Sequence, residues 1–120
     1  MARIPDVISV EAEFTTAQTN ALFVDNVATA RLVITQIQAT CDNANTVDVG
    51  FRVGLGAAAT PTTTGVVLTH PGVAKGSGVS RGNGHGILAY GAPGDKLFAT
   101  CEVPTGGSVR FLVSYYKENP

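Results

Sequence analysis

The sequence predicts an all-β protein, an antiparallel β-sandwich of jelly-roll-like form. Apolar and polar residues alternate with period two through about eight short runs, and helical periodicity is almost absent. Clusters of Gly, Pro, Asn and Asp separate the runs, as turns do. In two packed antiparallel sheets, each of these short strands can bury its apolar face between the sheets. Because Trp is absent, an immunoglobulin-type sandwich is the less favoured alternative.

The first runs show this alternation and where it breaks. VISVEAEF (7–14) predicts a half-buried strand with Ile8, Val10, Ala12 and Phe14 facing inward, and ALFV (21–24) predicts a second. In ATARLVITQIQATC (28–41) the apolar parity shifts between Ile34 and Ile37. That shift predicts a β-bulge, or else a strand that bends from one sheet into the other.

The later runs complete the sandwich. TVDVGFRVGL (46–55) places five apolar residues from Val47 to Leu55 on one face and small residues on the other, where another layer or subunit could approach. Four further runs are GVVLTH, HGILAYG, DKLFATCEV and SVRFLVSYY. PTGG, between the last two, predicts a hairpin loop. The adjacent Tyr115 and Tyr116 predict one ring in the core and one at an edge or interface. The 120 residues suit a single domain spanning 1–120.

The net charge and the composition restrict the classes of partner that we expect this chain to bind. Eight Lys and Arg oppose nine Asp and Glu, so the net charge of −1 disfavours nucleic acid and anionic membranes. Only 14% of residues are charged and 44% are hydrophobic, which indicates that part of the surface faces protein. No run has the length of a signal peptide or a membrane span, so we expect synthesis in a cytoplasm. Cys41 and Cys101 lie in apolar runs, where buried thiols are favoured over a disulfide.

The segment HPGVAKGSGVSRGNGHG (70–86) holds six glycines, two histidines and two cations. It lacks the GK[ST] ending of a phosphate-binding loop, and its histidines have no carboxylate nearby to complete a metal site. We therefore expect a long loop, no metal and no cofactor. The alternative is an anion or metal site formed by three copies of one histidine on a symmetry axis. GLGAAA (54–59) matches the dinucleotide fingerprint, but no helix pattern follows it.

Catalytic constellations are missing from the sequence. No GxSxG elbow occurs, and neither histidine has a serine or cysteine and an acid in a recognisable order. The acids on strand faces and in turns are typical of solvated charge rather than of a glycosidase pair; they are Glu11, Glu13, Asp48, Asp95 and Glu102. We expect that the protein is not an enzyme. The alternative is a small enzyme whose active site forms between subunits. Sugar binding would have only tyrosines as aromatic platforms.

Three stretches, VDVGFRVGLG, GVVLTHPGVAKGSGV and VPTGGSVRFLVSYY, resemble small virion proteins of tailed bacteriophages over residues 47–116. The resemblance implies a non-enzymatic β-sandwich decoration or cement protein. Such a protein is often a homotrimer, and it binds the major capsid protein on the capsid exterior. The alternative is a receptor- or carbohydrate-binding module of a phage tail or cell surface. Candidate capsid or subunit contacts lie in the N-terminal segment and in the glycine-rich segment: Ala2, Arg3, Ile4, Pro5, Asp6, His70, Lys75, Arg81 and His85.

Overall fold

A computed structural model describes residues 6–57, 66–83 and 86–119. Within these residues the chain forms nine β-strands and no helix. The strands are β1 (Ile8–Phe14), β2 (Gln18–Val24), β3 (Arg31–Cys41), β4 (Val49–Gly56), β5 (Val66–Val73), β6 (Gly78–Gly82), β7 (Ala89–Tyr90), β8 (Lys96–Cys101) and β9 (Val109–Glu118). The all-β prediction is confirmed.

The strands form two antiparallel sheets with jelly-roll connectivity. Sheet A has the order β1-β9-β3-β6, with β7 also paired to β3, and sheet B has the order β2-β8-β4-β5. If the two-residue β7 is set aside, the strands pair from the chain ends inward: β1 with β9, β2 with β8, β3 with β6, and β4 with β5. One long antiparallel hairpin that is rolled up gives this pattern. The predicted jelly-roll-like form is confirmed.

A cluster of phenylalanine rings centres the core between the sheets. The ring of Phe111, fully buried on β9, meets Phe14 of sheet A at a centroid distance of 5.9 Å. Across the sandwich it meets Phe51 at 5.4 Å and Phe23 at 6.1 Å, both from sheet B. The edge-to-face pairs with Phe14 and Phe51 add stabilisation beyond the buried area alone. Phe111 therefore joins the two sheets.

The parity shift in β3 is a bulge, as one of the two alternatives predicted. The register with β9 passes from Ile34↔Tyr115 to Gln36↔Ser114, which leaves Thr35 as the extra residue. Thr35 Oγ1 donates to the Ser114 carbonyl at 3.1 Å, so the unpaired position is satisfied inside the sandwich. The strand stays in sheet A along its whole length, and the alternative of a strand that changes sheet is wrong.

The glycine-rich segment is not the long loop that we expected. Its described part is the end of β5, a short turn at 74–77, and the strand β6, which pairs with β3. The apolar alternation that marks the other strands is missing from β6, because it consists largely of glycine, serine and arginine. The chain here crosses from sheet B to sheet A. The sequence pattern therefore predicted eight strands, and β6 is the ninth that it did not predict.

The PTGG segment is also not a hairpin loop. It connects β8 of sheet B to β9 of sheet A, so the chain crosses the sandwich there. The crossing is held by the loop that follows β3: Thr46 N–H donates to the Thr105 carbonyl at 2.9 Å, and Asp42 N–H donates to the Ser108 carbonyl at 3.0 Å. Strand runs adjacent in sequence predict a hairpin only when the two strands share a sheet.

The structure differs from two other predictions about β4. Val47 precedes the strand and is exposed instead of facing the core. At Gly50 the close neighbour is the chain itself, since a Cβ there would lie 2.6 Å from the Pro71 carbonyl oxygen and 3.1 Å from the Glu102 side chain. The cysteine prediction is confirmed, since Cys41 and Cys101 are free and buried. Tyr115 is buried in the core as predicted; Tyr116 is half-buried on β9, an interior strand of sheet A, so it does not lie at a sheet edge, and its place at an interface stays a prediction.

Arg81 closes the side of the sandwich where β5 and β6 form the sheet edges. Its register partner is Ile37, a core residue of β3, so the side chain starts toward the space between the sheets. Its Nη1 atom donates to the Val67 carbonyl on β5 at 2.6 Å. A charged donor to a partly buried carbonyl is one of the stronger hydrogen bonds in proteins. Arg81 is therefore a clasp between sheets A and B.

We expect Gly82→Ala to destabilise the fold by about 1–3 kcal/mol. Gly82 has φ of 81°, and a Cβ would lie 2.3 Å from the Thr35 carbonyl oxygen at the bulge. Gly86→Ala is the matched control, because a Cβ at Gly86 meets no atom within 4 Å. Urea unfolding of both variants measures the difference, and equal midpoints would contradict the close packing at the bulge.

We expect Arg81→Ala to reduce stability by about 1 kcal/mol, since the Val67 carbonyl loses its donor. Hydrogen exchange should become faster at β5 and β6 and stay unchanged at β1. Lys75→Ala, at an exposed turn position, is the control and should change stability by less than about 0.5 kcal/mol. If the two variants unfold alike, Arg81 is not a clasp.

Candidate functional site

Four of the predicted contact residues lie in the described part of the chain: Asp6, His70, Lys75 and Arg81. Asp6 is exposed two residues before β1. The other three belong to the segment 70–83, which we call the β5–β6 corner. The remaining predicted residues, Ala2, Arg3, Ile4, Pro5 and His85, lie outside the described residues.

The turn of the β5–β6 corner is tied to the end of β3. Gly76 N–H donates to the Cys41 carbonyl at 2.8 Å, and Cys41 N–H donates to the Ser77 carbonyl at 2.8 Å. Ser77 N–H closes the turn by donating to the Ala74 carbonyl at 3.0 Å. Gly76 has φ of 75°, a value that glycine adopts without strain. The turn that carries Lys75 is therefore held in shape by backbone hydrogen bonds.

His70 is used within the corner. Its Nδ1 atom accepts the Gly72 N–H at 3.2 Å, which places the proton of the neutral ring on Nε2. The ring stacks on Phe51 at a centroid distance of 6.3 Å with 26° between the planes. These contacts fix the backbone around Pro71. In the described residues no three His, Cys, Asp or Glu side chains are grouped as metal ligands.

The corner presents Lys75 as its outward cation. Arg81 is bonded to Val67 and His70 to Gly72, whereas Lys75 is exposed and has no ion pair or hydrogen bond with the described residues. A fixed backbone with a free ammonium group suits contact with a carboxylate on another molecule.

Asp6 and the β5–β6 corner lie at different edges of sheet A. Asp6 adjoins β1, which is one edge of sheet A, and the corner includes β6, which is the opposite edge. Contacts made by both regions would therefore involve two sides of the molecule. The sequence predicted the residues of each region but not their separation, because edge positions follow from strand pairing.

The sequence analysis missed a groove of about 320 Å³ on the outer face of sheet B. Arg52 on β4 lies between Thr69 of β5 and Thr100 of β8, its two register partners, and all three line the groove. No described residue pairs with the Arg52 guanidinium. In the sequence, the signal for this groove was Arg52 itself, a charged residue within the mainly apolar run of β4.

Gln18 of β2 lines one side of this groove, and the strand is irregular two residues further on. Asn20 has φ of 48°, which is uncommon outside glycine. Its N–H donates to Thr100 Oγ1 at 2.9 Å, and that hydroxyl donates to Asn20 Oδ1 at 3.2 Å. On the opposite side, Glu102 accepts the Gly50 N–H at 3.3 Å. The groove thus combines polar and apolar lining residues, and the Arg52 guanidinium in it pairs with no described residue.

The outer face of sheet A carries a charged cluster near β1. Arg110 on β9 pairs with Glu13 and, at 3.3 Å, with Glu11. The hydrogen bond and charge of Glu13, followed by the charge of Glu11, raise the pKa of Arg110. All three side chains are about half exposed, so these ion pairs contribute little to stability. The prediction that these two glutamates carry solvated charge agrees with their exposure.

No protein-family model matches the chain, and no curated protein is similar to it in sequence. None of the described segments forms a helix with the length and apolar character that a membrane crossing needs.

Solved structures show similar folds. A chain from the acidic stable capsid structure of Helicobacter pylori bacteriophage KHP30 superposes with a TM-score of 0.64 and 15% identity, over 94% of this chain and 90% of that one. A chain from Bacillus endospore appendages, a family of disulfide-linked pili, gives 0.51 and 18%, over 92% and 86%. At these identities the likeness concerns the fold: a β-sandwich that spans nearly the whole of each chain.

Proposed function

We propose that this chain is a non-enzymatic structural protein of a tailed-bacteriophage virion. In this role it is a single-domain decoration or cement protein that binds the outer surface of the capsid and stabilises the shell. The observation that carries the proposal is the fold likeness to the KHP30 capsid chain, because it extends over 94% of this chain and 90% of that one. The low content of charged residues, 14%, supports a protein whose surface is partly covered by other proteins.

The mechanism is added contact area at the joints of the shell. A capsid filled with DNA is under internal pressure, and a protein that bridges neighbouring capsomers opposes their separation. We propose a homotrimer that binds the major capsid protein, as the resemblance implies. Three modest contacts that form together bind far more tightly than one, because the second and third are intramolecular.

The β5–β6 corner supplies the contact with the capsid in this proposal. Lys75 offers an unpaired ammonium on a turn that backbone bonds to β3 hold in place. Arg81 joins β6 to β5, and His70 holds β5 through its bond with Gly72 and its stacking on Phe51 of β4. Both residues act on the contact through this rigidity. The matching surface on the capsid would carry carboxylates.

We expect Lys75→Glu to weaken binding to the cognate capsid at least about tenfold, since a repulsive charge repeats in each subunit of the trimer. Lys117→Glu, at an exposed position on β9, makes the same change of net charge elsewhere and should bind like the wild type. Co-sedimentation with mature shells measures both. No binding of the wild-type protein would overturn the function, whereas equal loss in the two variants would overturn only the role of the corner.

The groove on sheet B favours a second candidate, the receptor- or carbohydrate-binding module. Its volume of about 320 Å³ suits a small ligand of one or two sugar rings. The unpaired Arg52 guanidinium would hold a carboxylate, and the Thr69 hydroxyl would bond to a sugar hydroxyl. Thr100 Oγ1 donates its proton to Asn20, so toward a sugar it would act only as an acceptor. This candidate therefore takes an acidic sugar rather than a neutral one.

For this candidate we expect galacturonate to shift the amide resonances of Arg52, Thr69 and Thr100 in a saturable way, while galactose shifts none. Arg52→Gln should abolish saturation, and Lys75→Gln should leave it unchanged. NMR titration to millimolar concentrations is the measurement. Equal shifts with both sugars, or none with either, would remove the acidic-sugar module from consideration.

A further inference from the structure

The two sheets have four edge strands among the described residues: β1 and β6 in sheet A, and β2 and β5 in sheet B. An edge strand presents unpaired N–H and C=O groups that can pair with a strand of another molecule. Native proteins protect such edges with bulges, proline, charge or short length. Which edges of this chain are protected is therefore informative.

Three of the four edges are short or irregular. The register of β2 with β8 shifts twice, and Asn20 adopts a positive φ within the strand. The register of β5 with β4 also shifts twice, and the strand contains Pro71. β6 has only five residues, begins and ends with glycine, and includes the Arg81 clasp. None of these edges offers a long, regular strand.

β1 is neither short nor irregular, and its protection is limited to charge: Glu11 and Glu13 lie on the outer face, where Arg110 of β9 pairs with both. Its seven residues pair with β9 in an unbroken register from Ile8↔Tyr115 to Phe14↔Val109. It contains no proline, glycine or lysine. On its other side no described strand pairs with it. Ile8 is 48% exposed and the preceding Val7 is 46% exposed. The alternation of the sequence predicts that Ile8 faces inward. Its exposure shows that no described residue covers it at this edge of the sheet.

We infer that β1 is the strand through which two copies of this chain pair, antiparallel about a two-fold axis at Val10. This pairing extends sheet A of one copy into sheet A of the other. It places Ile8 opposite Ala12 of the other copy, so the exposed isoleucine gains apolar contact. It also places Ser9 opposite Glu11, where a hydroxyl can donate to a carboxylate.

The charges of β1 select this axis over its neighbours. Inner faces match only if the axis passes through a residue, because a shift by one residue turns the partner over. An axis at Glu11 sets that carboxylate against itself, and an axis at Ala12 sets Glu11 against Glu13. Like charges directly opposite each other destabilise a sheet. An axis at Ser9 leaves most of β1 unpaired. An axis at Val10 pairs the five residues 8–12 of β1 with those of the other copy and opposes no like charges.

This pairing is independent of the capsid contact, which the β5–β6 corner makes at the opposite edge of sheet A. In a trimer, three β1 edges would remain, and pairing across two-fold axes would connect neighbouring trimers on a closed shell. Failure of the pairing would leave capsid binding intact, and failure of capsid binding would leave the pairing intact. The two proposals can therefore be tested separately.

Register-specific cross-linking tests the pairing. In Val10→Cys, the new thiols of two copies face each other at about 4.5–5.5 Å between Cα atoms, within the range of a disulfide. In Ala12→Cys they are separated by about 13 Å along the strands. Diamide oxidation should link Val10→Cys into covalent dimers and leave Ala12→Cys at background. The native Cys41 and Cys101 should not compete, since burial raises the pKa of both thiols.

A second pair of variants guards against misfolding of the cysteine proteins. Ile8→Lys and Leu22→Lys each place a charge at an apolar position on an edge strand, at similar exposures of 48% and 52%. Sedimentation equilibrium should show that the mass of the wild type and of Leu22→Lys rises with concentration by association of a basal unit, whereas Ile8→Lys remains at that unit. Equal cross-linking of the two cysteine variants, or association of Ile8→Lys like the wild type, would overturn the inference.

Discussion

The packing of Phe111 is the contact on which both sheets depend. Its ring lies near the start of β9, which pairs with β1 on one side and β3 on the other, and it meets Phe51 of the opposite sheet edge-to-face. In a chain of 120 residues the core is small, so one fully buried aromatic ring contributes a large share of the apolar contact between layers. The order of the strands around β9 then decides which edges are left open.

The jelly-roll order has a consequence for those edges. Because strands pair from the chain ends inward, the sandwich has one open side between β5 and β6 and another beside β1 and β2. The first side is closed by the bond from Arg81 to the Val67 carbonyl. At the second side β2 is bulged, and β1 remains straight. The low charge content agrees with a surface that other proteins cover, and the structure shows where pairing is least hindered.

Much of the fold could be predicted from the sequence, because a period of two is a local signal. The bulge was predicted from parity alone, since one extra residue between Ile34 and Ile37 inverts the alternation. β6 could not be predicted this way, because its glycines leave no apolar alternation to detect. The PTGG crossing failed for another reason: whether two successive strands share a sheet depends on pairings far away in the chain. The Arg81 bond and the Arg52 groove were missed for the same reason, as both join residues from different strands.

The separation of the two candidate surfaces gives the proposals a common geometry. A protein that reinforces a lattice needs at least two contacts that face different ways, since a single contact only attaches it to the shell. β1 and the β5–β6 corner lie at opposite edges of sheet A, and β9 and β3 connect them through continuous strand pairing. Force applied at one edge is therefore carried across the sheet by backbone hydrogen bonds. With both contacts made, the sheet itself would become the element that joins copies to one another and to the capsid.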